Sequence, residues 1–275
     1  MTSSAAMHRT PGRWAMPPLV VLTLVIHAAA LVAVLVDTGW WPWALAAIVA
    51  NHAVLSVTGL LPRSSWLGSN WTRLPEAAAA RGEIAITIDD GPDPVVTPAV
   101  LDLLDRHHAK ATFFCVGRQA ALHPELCREM VRRGHRIENH SQHHRHNFSL
   151  LGPRGFRREL EAGQATLAAI TGEHPLFFRA PAGLRNPFLD PVLHHTGLQL
   201  ASWTRRAYDT RVGDAGTVLR KLTGSLRAGD ILLLHDRHAA LTDAGVPVIL
   251  DVLPLLLDTI QRAGLRPVTL RDAMT

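Results

Sequence analysis

Seven short runs of β-branched, aliphatic and aromatic residues alternate with helical segments over the last two thirds of the chain. They are Ile84–Ile88, Ala111–Val116, Arg136–Glu138, Leu176–Phe178, Leu198–Trp203, Ile231–Leu234 and Pro267–Leu270. Between them Leu122, Leu126 and Met130 recur at helical spacing, as do Phe156, Leu160, Leu167 and Ile170. Such alternation predicts an α/β fold with a parallel sheet, either an incomplete barrel or a doubly wound sheet. In both, polar side chains that do chemistry collect at the C-terminal ends of the strands.

The N-terminal part follows other rules. Hydrophobic residues make up 47% of the 275 residues, and the excess lies there. Pro17 to Val36 carries no formal charge and has the ~20 residues a helix needs to cross the hydrocarbon core. Pro42 to Leu61 is of similar length but holds Asn51, His52, Ser56 and Thr58. Two membrane helices are expected. A signal peptide is disfavoured because apolar sequence continues past Ala28-Ala29-Ala30. Trp40, Trp41 and Trp43 gather between the segments and Trp66 and Trp71 follow them, where indoles suit the headgroup layer. Arg9 and Arg13 precede the pair, Arg63 and Arg73 follow it, and the connection holds only Asp37. That asymmetry predicts both termini, and with them the α/β domain, on the cytoplasmic side of a bacterial-type inner membrane. The expected organisation is an arm over 1–16, a two-helix anchor over 17–61, a Pro-, Ser- and Ala-rich linker over 62–82 and a catalytic domain over 83–275.

Charge excludes one class of function. The net charge is only +5, and arginines are scattered without a basic tract, so no nucleic-acid partner is expected. Two cysteines, Cys115 and Cys127, are too few for a disulfide scaffold and form no metal-binding pair. Of 16 histidines, five crowd between His135 and His146.

The strand exits carry the chemistry. After the first comes Asp89-Asp90-Gly91-Pro92, where a Gly-Pro turn can bring both carboxylates to one pocket. The third ends in Glu138-Asn139-His140-Ser141-Gln142-His143-His144. His140 with His144, at i and i+4, can converge on a metal, and His140 with His143 also fits. With Asp90 such a pair would make three ligands and leave an open position for catalysis. Arg179-Ala180-Pro181-Ala182-Gly183 follows the fourth strand, and Asp209 lies six residues after Trp203. His235 leaves the apolar run Leu232-Leu233-Leu234. Each motif alone is ordinary; their placement at successive exits points to one pocket.

Taken in order, T-I-D-D-G-P (Thr87–Pro92), H-S-Q-H-H (His140–His144), R-A-P-A-G (Arg179–Gly183), Trp203 with Asp209, and L-L-H (Leu233–His235) resemble the polysaccharide deacetylases of carbohydrate esterase family 4, the NodB-homology domain. The resemblance covers about Glu83 to Thr275. It implies a distorted seven-stranded (β/α) barrel and a metal-dependent hydrolase that removes an N-acyl group from an amino sugar. It also implies Asp89 as catalytic base, Asp90, His140 and His144 as metal ligands, and Arg179 as the residue that orients Asp89. His235 matches the catalytic acid and Asp209 the carboxylate that tunes it. Pro181, Ala182, Trp203 and Leu233 match the substrate pocket, with the Ala182 N–H facing the oxyanion. The expected metal is Zn²⁺, although the same donors accept Co²⁺ or Ni²⁺.

Two positions depart from the family pattern. Ala182 stands where an aromatic residue is common, and Thr210 stands where a tryptophan often follows the carboxylate, with Tyr208 as partial compensation. A groove missing two aromatic walls buries less of a long glycan. With a cytoplasmic membrane face, this points to a small or polyprenyl-linked N-acyl (acetyl or formyl) amino sugar, with membrane lipids as the other partner. The alternative is a periplasm-facing deacetylase of an envelope polysaccharide such as peptidoglycan. A non-catalytic glycan-binding protein would be expected to lack one of Asp89, Asp90, His140, His144 or His235, and all five are present.

Overall fold

The computed structural model describes residues 14–275; most of the arm expected over 1–16, with Arg9 and Arg13, lies outside the described residues. Two long helices come first, α1 (Pro18–Val36) and α2 (Trp41–Gly59). Both are long and apolar enough to cross a membrane. They pair as a hairpin tied by a hydrogen bond from the Asn51 amide to the Thr23 hydroxyl at 3.2 Å. Trp40, Trp41 and Trp43 are exposed at its tip.

The remainder is one parallel sheet wrapped by helices. Its strands are β1 (Glu83–Asp89), β2 (Thr112–Cys115), β3 (Arg136–Asn139), β4 (Phe177–Phe178), β5 (Gln199–Leu200), β6 (Arg205–Arg206), β7 (Ile231–His235) and β8 (Arg266–Val268). Seven of them run in the order β5-β4-β3-β2-β1-β7-β6, and β8 pairs with β1. This is a curled, incomplete barrel, as the alternation and the resemblance predict. The run at Pro267–Leu270 is the branch strand, while Arg205–Arg206, unforeseen as a strand, completes the path.

Both faces of the central strands are buried, and alternation sorts their residues. Ile84, Ile86 and Ile88 of β1, and Leu232 and Leu234 of β7, pack outward with the surrounding helices. Ala85, Ile231, Leu233 and Phe114 pack inside the curl with Trp203 and Phe177. Thr87 and Asp89 share parity with Ala85, and His235 with Leu233, so they too face the interior. A parallel strand covered on both sides reads as a near-continuous apolar run, which is why β7 is the clearest strand in the sequence.

The stretch 62–82 is folded against the open side of the sheet. Trp71 donates its N–H to the Leu200 carbonyl at 2.9 Å and accepts from the Ser202 N–H at 2.8 Å. Arg73 bridges to Asp230 just before β7. The segment therefore spans between the ends of β5 and β7. It also fixes α2, because the Gly59 carbonyl accepts from the Arg185 N–H at 3.1 Å and the Pro62 carbonyl from the Ser202 hydroxyl at 2.6 Å.

Candidate active site

β1 and β7 are adjacent and parallel, with Asp89 in register with His235. Two strand-terminal residues in register stand about 4.8 Å apart at the backbone, so the two groups face one pocket. Asp89 is 3% exposed, and its Oδ1 accepts from Arg179 Nη1 at 2.7 Å. Arg179 immediately follows β4 and is itself almost wholly buried. It donates to the Thr87 hydroxyl (2.7 Å) and to the carbonyls of Ala201 (3.1 Å) and Ser202 (2.6 Å). Its guanidinium carbon lies 4.1 Å from the Phe114 ring centroid. Burial pulls its pKa down, and the Asp89 carboxylate opposes that pull. The pair is rigid because nearly every polar atom of the arginine is used.

Asp90 is turned back into the same pocket. Its φ of 76° lies in the left-handed region, which costs energy for a residue with a Cβ and overrides strand alternation. Its Oδ1 lies 3.3 Å from His140 Nε2 and 3.1 Å from His144 Nε2. Burial acts to raise the Asp90 pKa, but the close approach of the His140, His144 and His238 imidazoles holds it far below the ordinary carboxylate range. One ligand atom from each of Asp90, His140 and His144 falls within 4.8 Å of the others. His143, the alternative second histidine, points elsewhere: its Nδ1 meets Glu159 Oε1 at 3.0 Å.

The donor set fits a divalent cation on a structural ground. His140 Nδ1 lies 2.8 Å from the Arg179 carbonyl, so that nitrogen carries the proton. A neutral ring then turns its Nε2 lone pair toward the Asp90 carboxylate, two acceptors face to face, and a cation between them removes the conflict. Two imidazoles and a carboxylate suit Zn²⁺, Co²⁺ or Ni²⁺.

His235 is held twice by Asp209: its backbone N–H donates to Oδ2 at 2.7 Å, and its Nδ1 lies 2.9 Å from Oδ1. Burial works against the charged ring, yet the Asp209 carboxylate wins and pushes the His235 pKa up to about 9. At neutral pH the ring is an acid with Nε2–H free for the pocket. Leu233 lies two residues below it on the same face, fully buried beside Trp203. Pro181 is buried and Ala182 exposed in the turn Pro181–Gly183, where Ala182 has φ 55°.

These contacts bring Asp89, Asp90, His140, His144, Arg179, Asp209 and His235 together, with Trp203 and Leu233 packed inside the curl beside them and Pro181 and Ala182 in the turn that follows Arg179. Sequence reasoning missed His238, whose Nδ1 is 3.4 Å from Asp90 Oδ2, and Thr87, which links Arg179 to the Leu232 carbonyl. Thr87 could have been found, since it is two residues before Asp89 and shares its face. His238 could not, because its approach depends on a left-handed backbone at φ 62°.

The family model for polysaccharide deacetylase matches residues 77–201. That match includes Asp89, Asp90, His140, His144 and Arg179 and stops short of Trp203, Asp209 and His235. The chain is similar to the chitooligosaccharide deacetylase of Sinorhizobium fredii, 34% identical over 164 residues that cover 59% of this chain and 76% of the relative. A solved peptidoglycan N-acetylglucosamine deacetylase in complex with an aryl N-hydroxybenzamide superposes with a TM-score of 0.67 at 26% identity, covering 74% of this chain and 92% of that one. A family 4 carbohydrate esterase from Streptomyces lividans in complex with acetate gives 0.61 at 29% identity, covering 68% and 91%.

Proposed function

The chain belongs to the polysaccharide deacetylase family, hydrolases of non-peptide carbon–nitrogen bonds, and on that premise we propose that it removes an N-acyl group from an amino sugar with the help of a divalent metal, Zn²⁺ first among the candidates. The observation that carries this reading is the in-register pair Asp89 and His235, each with its own buried partner, facing Asp90 and two histidines.

A cation held by Asp90, His140 and His144 would lower the pKa of water and polarise the acyl carbonyl. Asp89, oriented by Arg179, accepts the proton of the attacking water. The N–H of Ala182, presented by its left-handed turn, donates to the developing oxyanion. His235 gives its Nε2 proton to the departing amine, and Asp209 steadies the charged ring. Trp203, Leu233 and Pro181, all buried, are the apolar residues that would wall the acyl group.

For the substrate, the arginine flanks of the hairpin support a short or polyprenyl-linked amino sugar at the cytoplasmic membrane face. Ala182 and Thr210 support it too, since neither supplies an aromatic wall for a polymer. The second reading is a deacetylase of envelope peptidoglycan or chito-oligosaccharide, favoured by what the similar proteins act on.

Asp89→Asn tests the reaction. The variant should keep the wild-type metal content, measured by elemental analysis, and lose about two orders of magnitude or more in acyl release from an N-acetylglucosamine oligosaccharide. An unchanged rate would overturn the assignment of Asp89.

A further inference from the structure

A cavity of about 920 Å³ lies between α2 and the segment that carries Trp203 and Tyr208. One wall is Val54 and Val57, near the C-terminal end of α2, with Leu61 just past it, each roughly half exposed. The facing wall is aromatic and cationic. Arg63, Arg206 and Lys221 all line it, and none has a carboxylate partner among the described residues. Arg205, the fourth cation here, is paired with Asp230 at 2.7 Å.

The three cations are left poised. Arg63 gives Nη1 to the Thr204 carbonyl at 3.1 Å and makes no ion pair among the described residues. Arg206 lies over the Trp203 and Tyr208 rings, 5.2 and 4.9 Å from their centroids, with its Nε buried and without a partner. Lys221 Nζ sits 5.2 Å from the same Tyr208 ring. Three like charges around one space repel each other, and an anion bridging them would replace that repulsion with charge-assisted hydrogen bonds.

The cavity adjoins the catalytic pocket. Tyr208 immediately precedes Asp209, the partner of His235. Trp203 stands between Arg206 on the cavity side and Arg179, 5.9 Å from its ring, on the other. Trp203 thus borders both the cation wall and Arg179, the partner of Asp89, and an apolar chain attached to an anion at the cations has the α2 face to lie along. A soluble sugar phosphate would leave that face unused.

We propose that this cavity binds the phosphate and first chain segments of a lipid carrier, so that the substrate is an N-acyl amino sugar joined through phosphate to a long apolar chain. This rests on the deacylase reading above. Arg63, Arg206 and Lys221 take the phosphate, Val54, Val57 and Leu61 take the chain, and the sugar passes Trp203 to reach Asp89 and His235.

The test uses the full chain in detergent micelles, with farnesyl phosphate, farnesol and inorganic phosphate as probes. Farnesyl phosphate should bind saturably and at least about tenfold more tightly than farnesol. The double variant Arg63→Gln/Lys221→Gln, at two exposed positions, should lose most of that difference. Equal binding of phosphate and alcohol, or a double variant that binds as wild type does, would overturn the proposal. So would inorganic phosphate binding as tightly as the lipid, which would make the site one for soluble anions. Hydrolysis separates the two readings. A protein that deacetylates diacetylchitobiose but does not prefer farnesyl phosphate keeps the deacylase reading and loses this site. A protein with charge-dependent lipid binding that cleaves neither diacetylchitobiose nor farnesyl-phosphoryl N-acetylglucosamine keeps the site and loses the deacylase reading.

Discussion

Asp89 and Asp90 are chemically identical neighbours, and backbone geometry alone separates their environments. Asp89 ends a strand and meets a fully buried arginine; Asp90 is rotated by a left-handed φ toward two imidazoles. The same device recurs around the pocket, with Ser141, His144, Ala182, Tyr208 and His238 also at positive φ. Strained backbone gathered at one site is a mark of positioning for function. The charge state of His235 gives a prediction at this scale. Its pKa is raised from 6.5 to about 9, so its protonated form stabilises the fold fully below about pH 6.5, and that contribution is lost as pH rises through about 9. As a general acid it should make kcat/KM fall above about pH 9. In Asp209→Asn the strongest influence raising that pKa is gone, and the alkaline limb should move to lower pH. A pH–rate profile checks this, and an unmoved limb would separate Asp209 from the acid.

At the scale of elements, legibility followed burial and length. β1 and β7 were plain in the sequence because both faces are covered, so that every residue is buried, β7 is apolar up to His235 and β1 keeps an isoleucine at every second position. Of the two-residue strands, β4 and β5 fall inside the runs Leu176–Phe178 and Leu198–Trp203, and only β6 gave no period to read. β4 is held partly by a side chain: the buried Glu138 accepts from the Leu176 and Phe177 N–H groups at 2.7 and 2.8 Å. β6 consists of two arginines, which read as surface. The candidate site was legible wherever a polar side chain stood at the exit of a recognisable strand, as at Asp89, His140, Arg179 and His235. It was not where a turn brings in a residue from the loop, as with His238, or where an apolar helix and a distant loop form one cavity. Residues 62–82, rich in turn-forming residues, carry no periodicity that announces their pairing with the sheet. Trp71 tests their weight. Its ring meets Phe177 edge-on at 5.0 Å and its backbone bridges to Ala201. Trp71→Ala should cost about 2 kcal/mol or more, read as a lower thermal midpoint in detergent. An unchanged midpoint would mean that the segment is a passive tether.

For the whole molecule the open question is which side of a membrane the pocket faces, because that decides whether substrate arrives as precursor or as polymer. The hairpin is fixed to the sheet at Gly59 and Pro62, so the catalytic pocket stays near the end of α2 whichever side it occupies. Does the ion pair of Arg73 with Asp230 remove it from the charge balance that sets orientation? It does not, because Asp230 is 157 residues further along the chain and orientation is set by lysines and arginines near the spans, with acidic residues counting little. Arg63, Arg73 and Arg81 therefore all follow the hairpin as positive charges, against Asp37 alone at its tip. Both flanks inside and the tip outside is the arrangement those charges favour. A C-terminal fusion to a reporter active only in the periplasm should be silent, and one to a reporter active only in the cytoplasm should be active. The reverse pattern would place the pocket against the envelope and make finished peptidoglycan the substrate to test first.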